Sequence, residues 1–193
     1  MHPSKSPGPD GMSPFFSQKF WHVVGGDVTN AVLSFLYSGH FLRKMNYTYI
    51  VLIPKKNEPM YMANFRPISL ENVISRIVSK VMANRLKFIL PNVISDNQSA
   101  FVLGRQITDN TSVAFDILHR MRNKRTRKKG LMAVKLDISK AYDRVEWNFL
   151  RQMMVRLGFD ERWVELTLEI VRKAKYSILI NGEPKGLSNR QEV

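Results

Sequence analysis

The chain has no cysteine among its 193 residues. That excludes disulfides, Cys-based zinc sites and thiol catalysis, and it fits a reducing compartment. No apolar run approaches the roughly 18 residues that a membrane span needs. The first residues lack the apolar core of a signal peptide. A soluble, intracellular protein without a membrane partner is the expectation. Acidic residues are scarce: 16 against 30 Lys and Arg, a net charge of +14 and a pI near 10.2. So basic a globular chain usually meets a polyanion, nucleic acid first; a merely basic ribosome-associated or membrane-surface module is the plainer alternative. The four histidines show no metal-ligand spacing, and no Ser-His-acid set can be argued. What is present is a 44% hydrophobic fraction, enough for a core and too much for wholesale disorder.

The Pro-, Gly- and Ser-rich opening, residues 4–14, reads as a loop. A short helix over 14–24 would offer Phe15, Phe16, Phe20 and Trp21 to a core. A second helix, capped by Asp27, would end at Gly39. Residues 47–53 are β-branched and aromatic, and 65–70 form a second strand that Pro67 confines to an edge or a bulge. Together they predict a hairpin with Lys55 and Lys56 at its tip. From Asn72, apolar residues recur at helical spacing as far as Leu90; Arg76, Lys80 and Lys87 should face outward, and Pro91 should stop the helix. Another helix is expected over 108–122, with Val113, Ala114, Ile117, Leu118 and Met121 on its apolar side.

Seven basic residues follow with no acid between them: Arg120, Arg122, Lys124, Arg125, Arg127, Lys128 and Lys129. They read equally as a solvated loop or as a phosphate-contacting arm, and the two are compatible. Residues 131–137 predict a strand, and a helix should start at Ala141. Helices over 147–157 and 162–171 come next, then a strand over 176–180 that leads into an Asn181-Gly182 turn.

The richest stretch is Lys135-Leu136-Asp137-Ile138-Ser139-Lys140-Ala141-Tyr142-Asp143-Arg144-Val145. It sets a carboxylate at the end of the expected strand, where it can hold a divalent metal against a phosphate. By spacing alone, such an Asp is more often a helix cap or turn residue. Asp143, within the following helix, reads as a surface or pairing residue.

The string Leu-Asp-x-x-x-Ala-Tyr-Asp-x-Val resembles the first catalytic motif of reverse transcriptases, and four further motifs accompany it in order. Ser6-Pro7-Gly8-Pro9-Asp10-Gly11 is similar to the N-terminal loop of the non-LTR (LINE-type) enzymes. Leu52-Ile53-Pro54-Lys55-Lys56 and Asn64-Phe65-Arg66-Pro67-Ile68-Ser69-Leu70 resemble the two fingers motifs. Gln98-Ser99-Ala100-Phe101, with Gly104-Arg105 and Asp109-Asn110, resembles the segment ahead of the catalytic strand. The resemblance covers about residues 4–186, and its flavour is that of plant elements.

That resemblance implies an α+β fold: a right-hand polymerase fragment, with fingers over 1–130 and the N-terminal, incomplete part of the palm over 131–193. It implies RNA-directed DNA polymerisation from an RNA template, a DNA primer and dNTPs, with Mg2+. Asp137 would be the first metal-binding aspartate, and the main-chain carbonyl of Ile138 would face a metal. Tyr142 would be the aromatic under the incoming sugar, leaving no room for a 2′-hydroxyl. Arg66 would clamp the triphosphate with its planar fork, and Lys55 or Lys56 would reach the terminal phosphate. Without the family, Arg66 reads as pairing with a local acid, Lys55 and Lys56 as ordinary turn residues, and Tyr142 as core.

The family continues with a Gly-rich loop and an Asp-Asp hairpin. These 193 residues contain no Asp-Asp, and residues 187–193 depart from the pattern. The expectation is a catalytically dead fragment with an open sheet edge, prone to low stability or self-association. A noncatalytic RNA- or DNA-binding remnant of a decayed element and an intron maturase-like protein are the alternatives.

Overall fold

The structure, a computed structural model, describes residues 2–124, 131–138 and 141–189; of residues 142, 143 and 187–189 only the backbone is described. The chain divides into two units, Met1–Met82 with Trp147–Val193, and Ala83–Glu146. The reason is strand pairing, which returns the last part of the chain to the first.

In the first unit, β-branched and aromatic residues form β1 (Tyr47–Pro54), which pairs antiparallel with β2 (Phe65–Glu71). β3 (Lys175–Ile180) lies parallel to β1 on its other side, and β4 (Glu183–Asn189) closes the order β2-β1-β3-β4. Pro67, which has no N–H to give, sits on edge strand β2. Asn181 and Gly182 join β3 to β4 with φ of 53° and 83°, the paired left-handed conformations of a type I′ hairpin.

Two short apolar clusters hold the helices of this unit. α1 (Pro14–Lys19) and α2 (Trp21–Ser38) are separated at Phe20. α2 starts six residues before Asp27, the expected cap. It runs through Gly25 and Gly26 because the Trp21 ring occupies the space where a Gly25 Cβ would stand, 2.9 Å from Trp21 Cε2. Gly39 ends it in the left-handed region, its N–H donating to Phe35 O at 2.8 Å. Phe35 and Phe41 pack with Val32, Val78, Met82 and Leu166. Phe15, Phe16, Phe20 and Trp21, expected in a core, are exposed, whereas Pro14 and Ser17 are the buried residues of α1.

α6 (Glu161–Arg172) serves both clusters. The Asp160 carboxylate accepts from the Arg162 amide at 2.9 Å and caps it. Leu166 and Ile170 turn toward α2 and α3, while Val164 and Leu168 turn toward Met154 of α5 (Trp147–Arg156). Arg151 ties the pair on the outside, 2.9 Å from both Glu165 and Glu161. The hydrogen bond that Arg151 donates to Glu165, with Glu161 beside it, raises the guanidinium above its ordinary pKa.

The unit boundary falls within α3 (Val73–Val93). Pro91 does not stop this helix. It removes a single N–H in the last turn, and the chain still closes a bond from Ile94 N to Leu90 O at 3.0 Å. In the second unit, α4 (Ile107–Asn123) opens on a capping box. Gln106 accepts from the Asp109 amide, and Asp109 accepts from the Gln106 amide at 3.1 Å. No residue of α4 is buried: Val113, Ile117 and Leu118 are half exposed or more, and Phe115 is 69% exposed.

Residues 131–138 are not the strand that their sequence predicts. They are coil without ladder partners among the described residues, and all are exposed; Leu136 is 86% exposed. A strand exists only as one side of a pair, and no described segment pairs with this one. The helix expected at Ala141 is a single 3-10 turn, Ala141–Arg144.

Candidate nucleotide-binding hairpin

The fingers-like motifs become geometry in the β1–β2 hairpin. Ile53 faces Arg66, Val51 faces Ile68 and Tyr49 faces Leu70. Residues opposite each other in a ladder share a sheet face, so Arg66 stands on the face of Tyr49, Val51 and Ile53. Beyond Pro54 the ladder continues by one bond, from Lys55 N to Asn64 O at 2.8 Å. A 3-10 turn, Met62–Asn64, then brings the chain back into β2.

The predicted ligands behave differently. Lys55 Nζ donates to Ala63 O at 3.1 Å and so helps close the tip. Lys56 is exposed on the turn. Arg66 is exposed, and its guanidinium makes no hydrogen bond or ion pair among the described residues, so the local-acid partner is not found. Three cations thus stand at one end of a hydrogen-bonded hairpin, two of them with donors open to a ligand. A planar fork beside a point charge suits phosphate oxygens.

Asp137 and Ile138 belong to the second unit and lie on the exposed coil. Tyr142 lies in the 3-10 turn that follows. Arg120 and Arg122 occupy the last turn of α4, where cations oppose the helix dipole. Lys124 follows it, exposed; Arg125, Arg127, Lys128 and Lys129 lie outside the described residues. The segment ahead of Asp137 organises itself: Arg105 Nη1 donates to Ser95 O at 2.6 Å and Gln98 O at 2.7 Å, and Ser99 Oγ donates to Asn110 Oδ1 at 2.7 Å.

Residues 53–189 match the family model of the reverse transcriptase (RNA-dependent DNA polymerase). The chain belongs to the reverse transcriptase family. A transposon TX1 149 kDa protein of Xenopus laevis is 32% identical over 178 residues, 92% of this chain and 13% of that protein. A retrovirus-related Pol polyprotein from a type-1 retrotransposable element R2 of Nasonia vitripennis is 31% identical over 139 residues, 72% of this chain and 13% of the relative. A type-2 R2 element polyprotein of Drosophila melanogaster is 29% identical over 140 residues, 72% of this chain and 12% of the relative. These names agree with a non-LTR element, and the α+β architecture agrees with a reverse transcriptase fragment. The chain spans about an eighth of the length of these relatives.

Reverse transcriptases generally use divalent metal. Among the described residues no group of three His, Asp or Glu side chains could hold such an ion, and no such group includes Asp137. One exposed carboxylate does not fit a two-metal centre. No helix of the described residues is long and apolar enough to cross a membrane.

The sequence motifs also hid a structural clasp. The Asp10 carboxylate accepts from the Val73 amide at 2.7 Å and the Met12 amide at 3.1 Å. The Asp10 amide donates to Asn72 Oδ1 at 3.0 Å, and Asn72 Nδ2 donates to Lys44 O at 2.9 Å. Arg76, expected to face outward, is half buried and donates to Ser6 O at 3.2 Å. A Cβ on Gly8 would lie 2.2 Å from Glu71 O. That glycine, four residues into a Pro-rich stretch, was the available signal for close approach.

Proposed function

We propose that this chain supplies the nucleotide-gripping fingers and the first palm carboxylate of an RNA-directed DNA polymerase. Its substrates in that role are an RNA template, a DNA primer and dNTPs, with Mg2+ as the ion of the assembled site. Arg66 and Lys56 would bind the triphosphate, Lys55 would hold the tip in shape, and Asp137 would be one metal ligand. The fingers would comprise 1–130 and the early palm 131–193. The observation that carries the reading is Arg66: a guanidinium without a partner among the described residues, held on a paired strand beside the tip lysines.

Charge-assisted hydrogen bonds contribute about 1.5–3 kcal/mol each. Binding of a fluorescent dNTP to the full chain should therefore weaken about 10-fold or more in Arg66→Ala and less in Arg66→Lys. Unchanged affinity in Arg66→Ala would remove the assignment. In primer extension on an RNA template, a polypeptide of these 193 residues alone should make no cDNA, because Asp137 cannot supply a metal pair. Robust synthesis lost in Asp137→Asn would refute that inactivity.

A further inference from the structure

The other end of β1 opens onto a hollow of about 460 Å³. Tyr47 and Tyr49 alternate onto one face of the sheet, their ring centroids 5.5 Å apart and nearly perpendicular at 76°. The Tyr47 hydroxyl donates to Ser177 Oγ at 2.8 Å, and Ser177 donates onward to Gly186 O. Parallel pairing sets Lys175 beside Tyr47 and Ser177 beside Tyr49. Arg43 and Lys44, from the segment leading into β1, complete the basic wall. The acid in the opposite wall, Asp10, is already engaged by the Val73 and Met12 amides.

Arg43 and Lys175 also line a second hollow of about 370 Å³, with Arg172 and Lys173. Its acids are committed too. Glu165 pairs with Arg151 at 2.9 Å, and Glu169 pairs with Lys173 at 2.8 Å while accepting from the Phe41 amide. Five basic residues therefore rim two adjoining hollows whose carboxylates have partners. Neither Arg43 nor Lys44 makes a side-chain hydrogen bond or ion pair among the described residues.

We propose that this hollow holds an unpaired nucleic-acid strand, a base resting on Tyr49 and successive phosphates on Arg43, Lys44 and Lys175. The choice of nucleic acid rests on the polymerase reading above. Aromatic faces interleaved with cations are what a sequence-tolerant single-strand site requires. The site is separate from the hairpin tip. Six strand steps from Tyr47 to Ile53, at about 3.3 Å each, put roughly 20 Å between them. A single nucleotide cannot bridge that span, and the rim offers more cations than one phosphate needs.

The test is fluorescence anisotropy of a labelled oligouridine of about 12 nucleotides with the full chain. Arg43→Ala with Lys175→Ala should weaken binding about 10-fold or more at low salt. It should also flatten the slope of log K against log salt by about 1.4, two phosphates at about 0.7 each. Tyr49→Leu should weaken binding about 5-fold or more and leave the slope unchanged, because stacking releases no counterions. Arg43→Lys should keep the slope. Melting temperatures should match the parent chain throughout.

If affinity and slope are unchanged in the cavity variants but fall in Lys56→Ala, the hollow is not the site, and the polymerase reading stands. If the parent chain binds no oligouridine, both fail. Displacement by poly-glutamate at equal charge would overturn the nucleic-acid assignment in favour of an acidic protein partner. Equal competition by UTP would overturn the strand in favour of a single nucleotide.

Discussion

The β1–β2 hairpin and residues 131–138 carry the same kind of sequence, and only one of them is a sheet. Tyr47–Pro54 and 131–136 are both predominantly apolar runs that alone read as strands, although Val134 is the one β-branched residue of the second. β1 has a partner on each side, β2 across the hairpin and β3 more than a hundred residues away. Residues 131–138 have none among the described residues, and their apolar side chains stand in solvent. Strand character is thus a property of the pair, with the sequence supplying only eligibility. The same contrast separates the two units. Packing partners surround Phe35 and Val164 in the first, while α4 of the second keeps its apolar side uncovered.

Hydrogen exchange would break this comparison most directly. Central amides of β1 should be protected at least about 1,000-fold more than those of 131–138, since local opening spans from near zero to the global stability. Comparable protection in a peptide covering 131–138 would mean that this segment pairs in solution. A smaller effect should separate two phenylalanines. Phe35→Ala empties a core site that is 2% exposed and should lower stability by about 3–5 kcal/mol. Phe115→Ala, on α4, should change it by less than about 0.5 kcal/mol. Urea midpoints measure both, and a large cost at Phe115 would show that the α4 stripe is covered in solution.

Much of the first unit was legible because its signals are local. The Asn-Gly turn demands left-handed conformations, and the paired runs at 47–53 and 65–70 supply their own register. Gly39 ended α2 as expected. The failures share a cause. Asp27 reads as a cap, but Trp21 against Gly25 lets α2 begin earlier, a contact that no propensity reports. Arg76 reads as an outward charge because only the distant Ser6 carbonyl turns it inward. Lys175 and Tyr47 are 128 residues apart and meet through a parallel pairing. In the candidate site, the two β-rich runs predicted the hairpin that carries Lys55 and Lys56 at its tip, and Arg66 stands near them in β2. The motifs could not tell that Lys55 would spend its ammonium on the Ala63 carbonyl, nor that Asp137 would lie on coil.

The Asp10 clasp sharpens the comparison at lower energy. Its carboxylate satisfies an amide at the start of α3, where orphan donors and the helix dipole both favour a negative group. Asp10→Ala should lower stability by about 1–2 kcal/mol, read as a shift of the urea midpoint with an unchanged slope. An unchanged midpoint would mean that the loop of residues 6–11 is loosely held and that Gly8 approaches Glu71 only transiently.

The smallest expected effect is at the residue that the sequence made most conspicuous. Asp137 is exposed, lies on coil and makes no hydrogen bond or ion pair among the described residues. Asp137→Asn should therefore leave the urea midpoint within about 0.5 kcal/mol of the parent. It should also leave dNTP affinity at the hairpin unchanged, since Arg66 and Lys56 carry the proposed triphosphate contacts. The two candidate contributions to a polymerase site would then be energetically separable in this chain: Arg66→Ala acts on nucleotide binding, and Asp137→Asn acts on neither binding nor stability. A coupling between the two substitutions in nucleotide affinity, measured by a double-mutant cycle and exceeding about 0.5 kcal/mol, would overturn that separability and make Asp137 a contributor to nucleotide binding.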